Sequence, residues 1–248
     1  MKNLKSQLKL AAAITLALAS LAAPTARAED AKPADEVTFN AAVTTDYRYR
    51  GVSQSRLDPA LQGGADYVNN TNGLYVGTWL STIKWTKDAG ADGHVEWDIY
   101  GGKRGEIVPG VSYDVGGLYY FYPSNGLPTS ANTFELYGQV GYGPGYIKYS
   151  HSTTNLFGTP DSKNSGYLDV GANFDIAKGL VLNLHAGHQR VNNNGAFSYS
   201  DYKVGVTRDF GICSVALAVI KADTGAYVSP AGKNLGKAAA VLTVSKTF

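Results

Sequence analysis

The stretch YLDVGANFDI, residues 167–176, decides the fold because its polarity changes with every residue. One parity is apolar and holds Leu168, Val170, Ala172, Phe174 and Ile176. The other is mostly polar and holds Tyr167, Asp169, Gly171, Asn173 and Asp175. Period-two alternation is typical of a β-strand with an apolar environment on one side and a polar one on the other.

The same alternation recurs in both directions from this stretch, most clearly at residues 134–140 and 180–189. It predicts twelve strands, which start near Val37, Pro59, Leu74, His94, Val111, Asn132, Tyr146, Gly166, Leu180, Ser200, Ile212 and Ala238. A tilted strand of about ten residues is long enough to cross a bilayer.

The predicted connections alternate between long and short. The long ones are residues 51–58, 84–93, 123–131, 153–165, 192–199 and 222–237. The short ones are residues 69–73, 105–110, 141–145, 175–179 and 209–211, rich in Gly, Asn and Asp as tight turns require. This alternation puts all long loops at one end, as in outer-membrane barrels. We therefore predict an all-β fold, a twelve-stranded antiparallel transmembrane β-barrel of outer-membrane type with both termini periplasmic.

Residues 1–28 have the pattern of an export signal peptide, and residues 29–248 are predicted to form the barrel. Lys2, Lys5 and Lys9 precede an apolar run, and Ala26 and Ala28 supply the small-x-small cleavage pattern. The mean hydropathy of −0.16 and the lack of a second long apolar run exclude a bundle of transmembrane helices. Without residues 1–28 the chain keeps 18 Lys and Arg against 20 Asp and Glu. This acidic balance gives no electrostatic reason to bind nucleic acid.

Periodicity alone does not tell a water-soluble barrel with an apolar core from a membrane barrel with a polar lumen. The export signal, the loop asymmetry and the aromatic content favour lipid on the apolar face. Aromatic residues are expected in an interfacial girdle, and the candidates are Tyr47, Tyr49, Trp79, Trp97, Tyr113, Tyr119, Phe121, Tyr149, Tyr202 and Phe210.

The chain closes on a strand that ends at Phe248. Counting back by two from Phe248 gives Lys246, Val244, Leu242 and Ala240, an apolar row interrupted once. This ending resembles the C-terminal signal that bacterial outer-membrane barrels present to their assembly machinery. The expected partners are therefore outer-membrane lipids, the barrel-assembly machinery acting on this strand, and small solutes or ions.

Four motifs carry a family resemblance: TDYRYRGVS at residues 45–53, EWDIYGG at 96–102, ELYG at 135–138 and VSKTF at 244–248. With these the chain resembles the proteobacterial TorF family of porin-like proteins along nearly all of residues 29–248. The resemblance implies a barrel in the cell outer membrane and a pore.

Ionisable residues are dense on the parity predicted to face the lumen. The pore-lining candidates are Asp46, Arg48, Arg50, Asp66, Glu96, Asp98, Asp114, Glu135, Lys148, Asp169, Asp201 and Lys203. Isolated burial of such charges is costly, so we expect them to be paired or hydrated. Eight acids against four bases predict a weakly cation-selective channel for small hydrophilic solutes or ions. Glu96, Asp98 and Glu135 are the candidates for the charged constriction, and Arg48 and Arg50 are expected to pair with nearby acids.

Two other functions stay open at this point. The same charges could form ion pairs that fill a structural or adhesive barrel without conduction. A lipid hydrolase is the second alternative, because HSTTN at residues 151–155 resembles the His-x-Ser-Asn stretch of lipid A deacylases. His151 and Thr153 share a strand face, but no orienting acid can be assigned, so we expect no enzymatic activity.

No metal or cofactor site is expected. His185 and His188 lie three residues apart on a predicted strand and therefore face opposite sides, so they cannot chelate one metal ion.

Overall fold

A computed structural model of the chain describes residues 34–248. The predicted signal peptide, residues 1–28, lies outside them. Twelve antiparallel strands close into one barrel, in which each strand pairs with its sequence neighbours and the last pairs with the first. They are β1 (Asp35–Thr44), β2 (Ala60–Asn69), β3 (Leu74–Thr82), β4 (Val95–Val108), β5 (Val111–Phe121), β6 (Thr133–Tyr142), β7 (Gly145–Ser152), β8 (Gly166–Ala177), β9 (Leu180–Arg190), β10 (Tyr199–Asp209), β11 (Ser214–Ala222) and β12 (Ala239–Thr247). The predicted barrel is confirmed, and each predicted strand start lies within two residues of the observed one.

The strand faces divide as the alternation predicts. On β8, Leu168 and Phe174 are 41% and 40% exposed, whereas Tyr167 on the other parity is 5% exposed. Large apolar side chains are exposed in this way on eleven of the twelve strands, and on β9 the leucines of the apolar parity are partly exposed. An apolar band of this extent around a closed barrel is the surface that lipid covers in membrane barrels.

The connections also alternate in length. The long ones comprise residues 45–59, 83–94, 122–132, 153–165, 191–198 and 223–238, and the short ones residues 70–73, 109–110, 143–144, 178–179 and 210–213. Both ends of the described barrel chain lie with the short connections. The second long connection contains a short helix, α1 (Trp85–Asp88), and the fifth contains a 3₁₀ turn, Gly195–Phe197. No helix within residues 34–248 is long and apolar enough to cross a membrane.

The first long connection, residues 45–59 and here called L1, folds into the barrel. It forms a small hairpin in which Arg48–Tyr49 pairs with Val52–Ser53. The two turn residues, Arg50 and Gly51, have φ angles of 46° and 80°. Two positive φ angles are the geometry that two-residue hairpins favour. Gly51 also permits close approach to the wall, since a Cβ there would lie 2.6 Å from the Cβ of Asp201.

L1 corrects two expectations. The prediction that the first strand continues through Arg50 is wrong, because β1 ends at Thr44. The alternation in residues 45–53 is real, but it belongs to a hairpin that pairs with itself inside the lumen. The girdle assignment is wrong for Tyr47, Tyr49 and Trp79, which belong to the buried interior cluster. Exposed aromatic side chains on the barrel do include Trp97, Tyr149, Tyr202 and Phe210.

Candidate functional site

A cavity of about 330 Å³ lies inside the barrel, between L1 and the strands. Of the twelve candidates, eight line it: Asp46, Arg48, Arg50, Asp98, Lys148, Asp169, Asp201 and Lys203. The other four, Asp66, Glu96, Asp114 and Glu135, are held in hydrogen bonds with tyrosine hydroxyls or with Arg50. The structure therefore gathers the predicted charges in one interior, where eight line the cavity and four do not.

Glu96, Asp98 and Glu135 form one side of the interior, on β4 and β6, which we call the acidic wall. Glu96 is 1% exposed. Its two oxygens accept hydrogen bonds from the hydroxyls of Tyr47 in L1, at 2.5 Å, and Tyr122, at 2.8 Å. Burial raises the pKa of Tyr47 well above its ordinary value, and the negative charges of Glu96 and Asp98 raise it further. Tyr47 therefore keeps its proton and ties L1 to the acidic wall.

Arg50 at the tip of L1 joins two sides of the lumen. Its guanidinium donates to both oxygens of Glu135 on β6, at 2.7 and 3.0 Å, and to Oε1 of Gln189 on β9, at 2.6 Å. It also stacks 4.2 Å above the ring of Tyr167 on β8. Bidentate pairing of this kind fixes both orientation and distance. Burial opposes the charge, but Glu135, Tyr49 and Tyr120 together raise the pKa of Arg50 well above its ordinary value.

A second ion pair holds the base of the hairpin together. Arg48 Nε donates to Asp46 Oδ2 at 2.7 Å, and the Ser53 hydroxyl donates to Asp46 Oδ1 at 2.5 Å. Arg48 Nη1 also donates to the carbonyl of Lys237 in the sixth long connection, at 2.8 Å. Asp46, Arg48 and Arg50 were predicted on a strand, and the structure places all three on L1.

A second side of the interior is built from β8, β9 and β10, and we call it the histidine wall. The ring of His185 lies between two carboxylates, with Nδ1 2.9 Å from Asp169 and Nε2 2.7 Å from Asp201. Tyr167 donates to the other oxygen of Asp201 at 2.8 Å. Only the doubly protonated imidazole donates to both carboxylates. Lys203 is the cross-strand neighbour of His185.

Sequence reasoning considered His185 only as a metal ligand and missed its place between carboxylates. His188 contacts Ser200 Oγ at 3.0 Å and is exposed, so the two histidines lie on opposite faces. Lys148 on β7 lies 4.1 Å above the ring of Tyr137.

Interior tyrosines are the second feature that sequence reasoning missed. Tyr100 donates to Asp66 at 2.6 Å, and Tyr75 donates to Asp114 at 2.5 Å. Because these hydroxyls satisfy carboxylates, fewer cations are needed to balance the buried acids. The sequence did contain a signal for these interior tyrosines, because Tyr137 and Tyr167 alternate with the polar residues of their strands and therefore share the lumen-facing side.

The residues of the hydrolase alternative do not meet. The Thr153 hydroxyl donates to the carbonyl of Phe134 at 3.3 Å, while the ring of His151 lies 6.4 Å from that of Tyr149. A base and nucleophile need hydrogen-bond contact, and these two side chains make other contacts instead.

The comparisons with known proteins agree with this architecture. A family model described as "Bacterial protein of unknown function (Gcw_chp)" matches residues 27–248. No curated protein matches. The narrower resemblance to the TorF family stays a prediction.

Two kinds of solved porin are similar in fold. The KdgM porin has a TM-score of 0.56 at 6% identity, over 85% of this chain and 98% of that one. A KdgM porin in complex with disordered oligogalacturonate has a TM-score of 0.53 at 7% identity, over 86% and 97%. The NanC porin has a TM-score of 0.54 at 8% identity, over 86% and 98%. The chain therefore has a porin-like fold.

Proposed function

The chain belongs to the Gcw_chp family of bacterial proteins of unknown function, and from this premise and its porin-like barrel we propose that it is a channel of the cell outer membrane. Its cargo is small hydrophilic solutes or ions, with a weak preference for cations. In this proposal the protein is a channel and not an enzyme. The observation that carries the proposal is the charged cavity of about 330 Å³ inside a barrel whose outer face is apolar.

The charge balance supports the preference for cations. Arg48 and Arg50 are already paired with Asp46 and Glu135. His185 is shared between two carboxylates. Asp98 faces the cavity, and no cation pairs with it among residues 34–248. Carboxylates along a hydrated path lower the energy of cations relative to anions.

L1 supplies the narrowest part of the proposed path. Its tip spans from Glu135 on β6 to Gln189 on β9. Twelve strands enclose a lumen between those of filled eight-stranded and open sixteen-stranded barrels. A loop folded inside such a lumen leaves a restricted passage, so we expect a small conductance.

Planar-bilayer recording of the refolded protein tests this proposal. Discrete current steps are expected, with bilayers that received only detergent as the control. A folded barrel, verified by its heat-modifiable mobility on a gel, that gives no steps over prolonged recording contradicts a channel.

A plugged structural or adhesive barrel is the second candidate, and the contacts of L1 favour it. The buried Arg50–Glu135 pair would close the lumen if L1 never moved. Steps that occur only after L1 is shortened would support this candidate over the channel.

We also propose that the barrel-assembly machinery recognises β12 through Phe248. Phe248 pairs with Phe39 of β1 through two backbone hydrogen bonds, at 2.8 and 3.2 Å, and its side chain is exposed. Deleting Phe248 should lower the amount of folded barrel in outer-membrane fractions. An unchanged amount would show that the last residue is not part of the signal.

A further inference from the structure

Asp98 on β4 brings to the cavity a carboxylate with one unsatisfied oxygen. The residue is 4% exposed, and its Oδ1 is buried without a hydrogen-bond partner among residues 34–248. Its side chain lines the cavity. A buried carboxylate left in this state is costly, so a cation or a proton that joins it is strongly favoured.

The acids beside Asp98 have partners of their own. Glu96 accepts from Tyr47 and Tyr122, and Glu135 accepts from Arg50. Their negative charges nevertheless act on Asp98. The local potential therefore attracts a cation, while a single carboxylate is free to contact it.

Aromatic rings surround this carboxylate. Trp79 on β3 and Tyr120 on β5 are the direct cross-strand neighbours of Asp98. The ring of Tyr47 meets Trp79 edge-on at 5.4 Å between centroids. Tyr100 lies two residues along the same face, and all four rings line the cavity. Ring faces attract cations, and they do so most strongly where water is excluded.

This combination fits one class of ligand. Ca²⁺ and Mg²⁺ need several oxygen ligands, which one free carboxylate does not supply. An ammonium group with apolar substituents forms an ion pair with Asp98 and packs its substituents against the rings. A cavity of about 330 Å³ suits such a small molecule.

We propose that Asp98, with Tyr47, Trp79, Tyr100 and Tyr120, binds a small organic ammonium ion. The inference rests on the proposed function, because this ion is then one of the solutes that the channel admits. Binding itself does not require conduction, so the two proposals are tested separately.

Titration of the refolded barrel with choline chloride in a maltoside detergent, which carries no choline headgroup, tests the site. Calorimetry measures affinity, and tryptophan fluorescence reports on Trp79. Saturable choline binding is expected, and Asp98→Asn should weaken it at least about tenfold. Asp114→Asn is the matched control, because Asp114 is a buried lumen carboxylate that accepts from Tyr75 and does not line the cavity. Its affinity should stay within about twofold of the wild type.

Three results overturn the proposal: no saturable choline binding to the wild type, equal binding by Asp98→Asn, or equally tight binding of K⁺. If Asp98→Asn does not give a folded barrel, Trp79→Leu is measured instead. It should also weaken choline binding at least about tenfold, and choline binding equal to that of the wild type would overturn the proposal. A barrel that binds choline but gives no current steps contradicts the channel and leaves this site intact. A conducting barrel that does not bind choline contradicts this site and leaves the channel proposal intact.

Discussion

The two walls of the lumen balance their charges in different ways. On the acidic wall, Glu96 and Glu135 are satisfied largely by Tyr47 and Arg50 of L1. On the histidine wall, Asp169 and Asp201 are satisfied by His185 of the adjacent strand. The acidic wall therefore depends on the position of a loop, whereas the histidine wall is part of the barrel itself.

This difference separates two kinds of stability. L1 begins after Thr44 and ends before Ala60, so the pairing of the barrel strands does not include it, although Thr45 N donates to the Leu242 carbonyl of β12 and Ser53 N to the Leu235 carbonyl of the sixth long connection. Its release would expose the acids of the acidic wall and take Arg50 away from Tyr167 and Gln189, while the contacts of His185 with Asp169 and Asp201 lie within the barrel. Variants that act on one wall at a time should therefore affect L1 and the barrel differently.

The largest effect is expected from Arg50→Met, which leaves Glu135 buried without its cation. Breaking a buried pair costs about 3 kcal/mol, which corresponds to roughly a hundredfold rise in the open population of L1. Trypsin should then cut at Arg48 and Arg56 about a hundred times faster, measured by mass spectrometry. Arg190→Met, at an exposed arginine, is the control. Equal cleavage rates in Arg50→Met and the wild type would show that Arg50 does not hold L1.

A smaller effect is expected from His185→Asn, which removes the group between Asp169 and Asp201. We expect the free energy of unfolding to fall by about 1–2 kcal/mol while trypsin resistance of L1 is retained. Denaturant unfolding followed by tryptophan fluorescence measures this, with the exposed His188→Asn as the control. If His185→Asn released L1 as Arg50→Met does, the two walls would not be independent.

Shortening L1 tests its role as the constriction. Replacing residues 46–54 by a short Gly/Ser linker should raise single-channel conductance about threefold, because the hairpin then no longer fills the lumen. Shortening the fifth long connection, residues 191–198, should leave conductance unchanged. The same conductance in both variants would place the narrowest point elsewhere.

The smallest effect is expected where L1 meets the second long connection outside the lumen. Lys84 Nζ lies 2.6 Å from Asp58 Oδ2, and this hydrogen bond lowers the pKa of Asp58. Because the pKa of Asp58 is lower in the folded state, its ion pair stabilises the fold at pH values above the unfolded-state pKa. This stabilisation is lost as the pH falls through the folded-state pKa. Both side chains are about half exposed, so Asp58→Asn should cost at most about 0.5 kcal/mol at pH 7. A cost that persists well below that pKa would rule out this ion pair as its source.

The sequence was sufficient for the barrel and insufficient for its contents. Strand alternation and loop length are local signals, so all twelve barrel strands could be located from them. The contact of Arg50 with Glu135 spans 85 residues. The alternation of polar and aromatic residues in 45–53 fits the end of a strand as well as it fits a hairpin. The pattern therefore does not predict that L1 folds into the lumen. The tyrosine–carboxylate pairs were likewise hidden, because a girdle and a polar lumen both use tyrosine.

We expect Asp98 of the acidic wall to face a conducting path. The most direct test is the single-channel reversal potential in a KCl gradient of about 10 to 100 mM, where screening is weak. The wild type should show a modest cation preference, and replacing Glu96, Asp98 and Glu135 by Gln, Asn and Gln should reduce it, mostly through Asp98. An anion-selective wild type, or the same reversal potential in the triple variant, would contradict the claim.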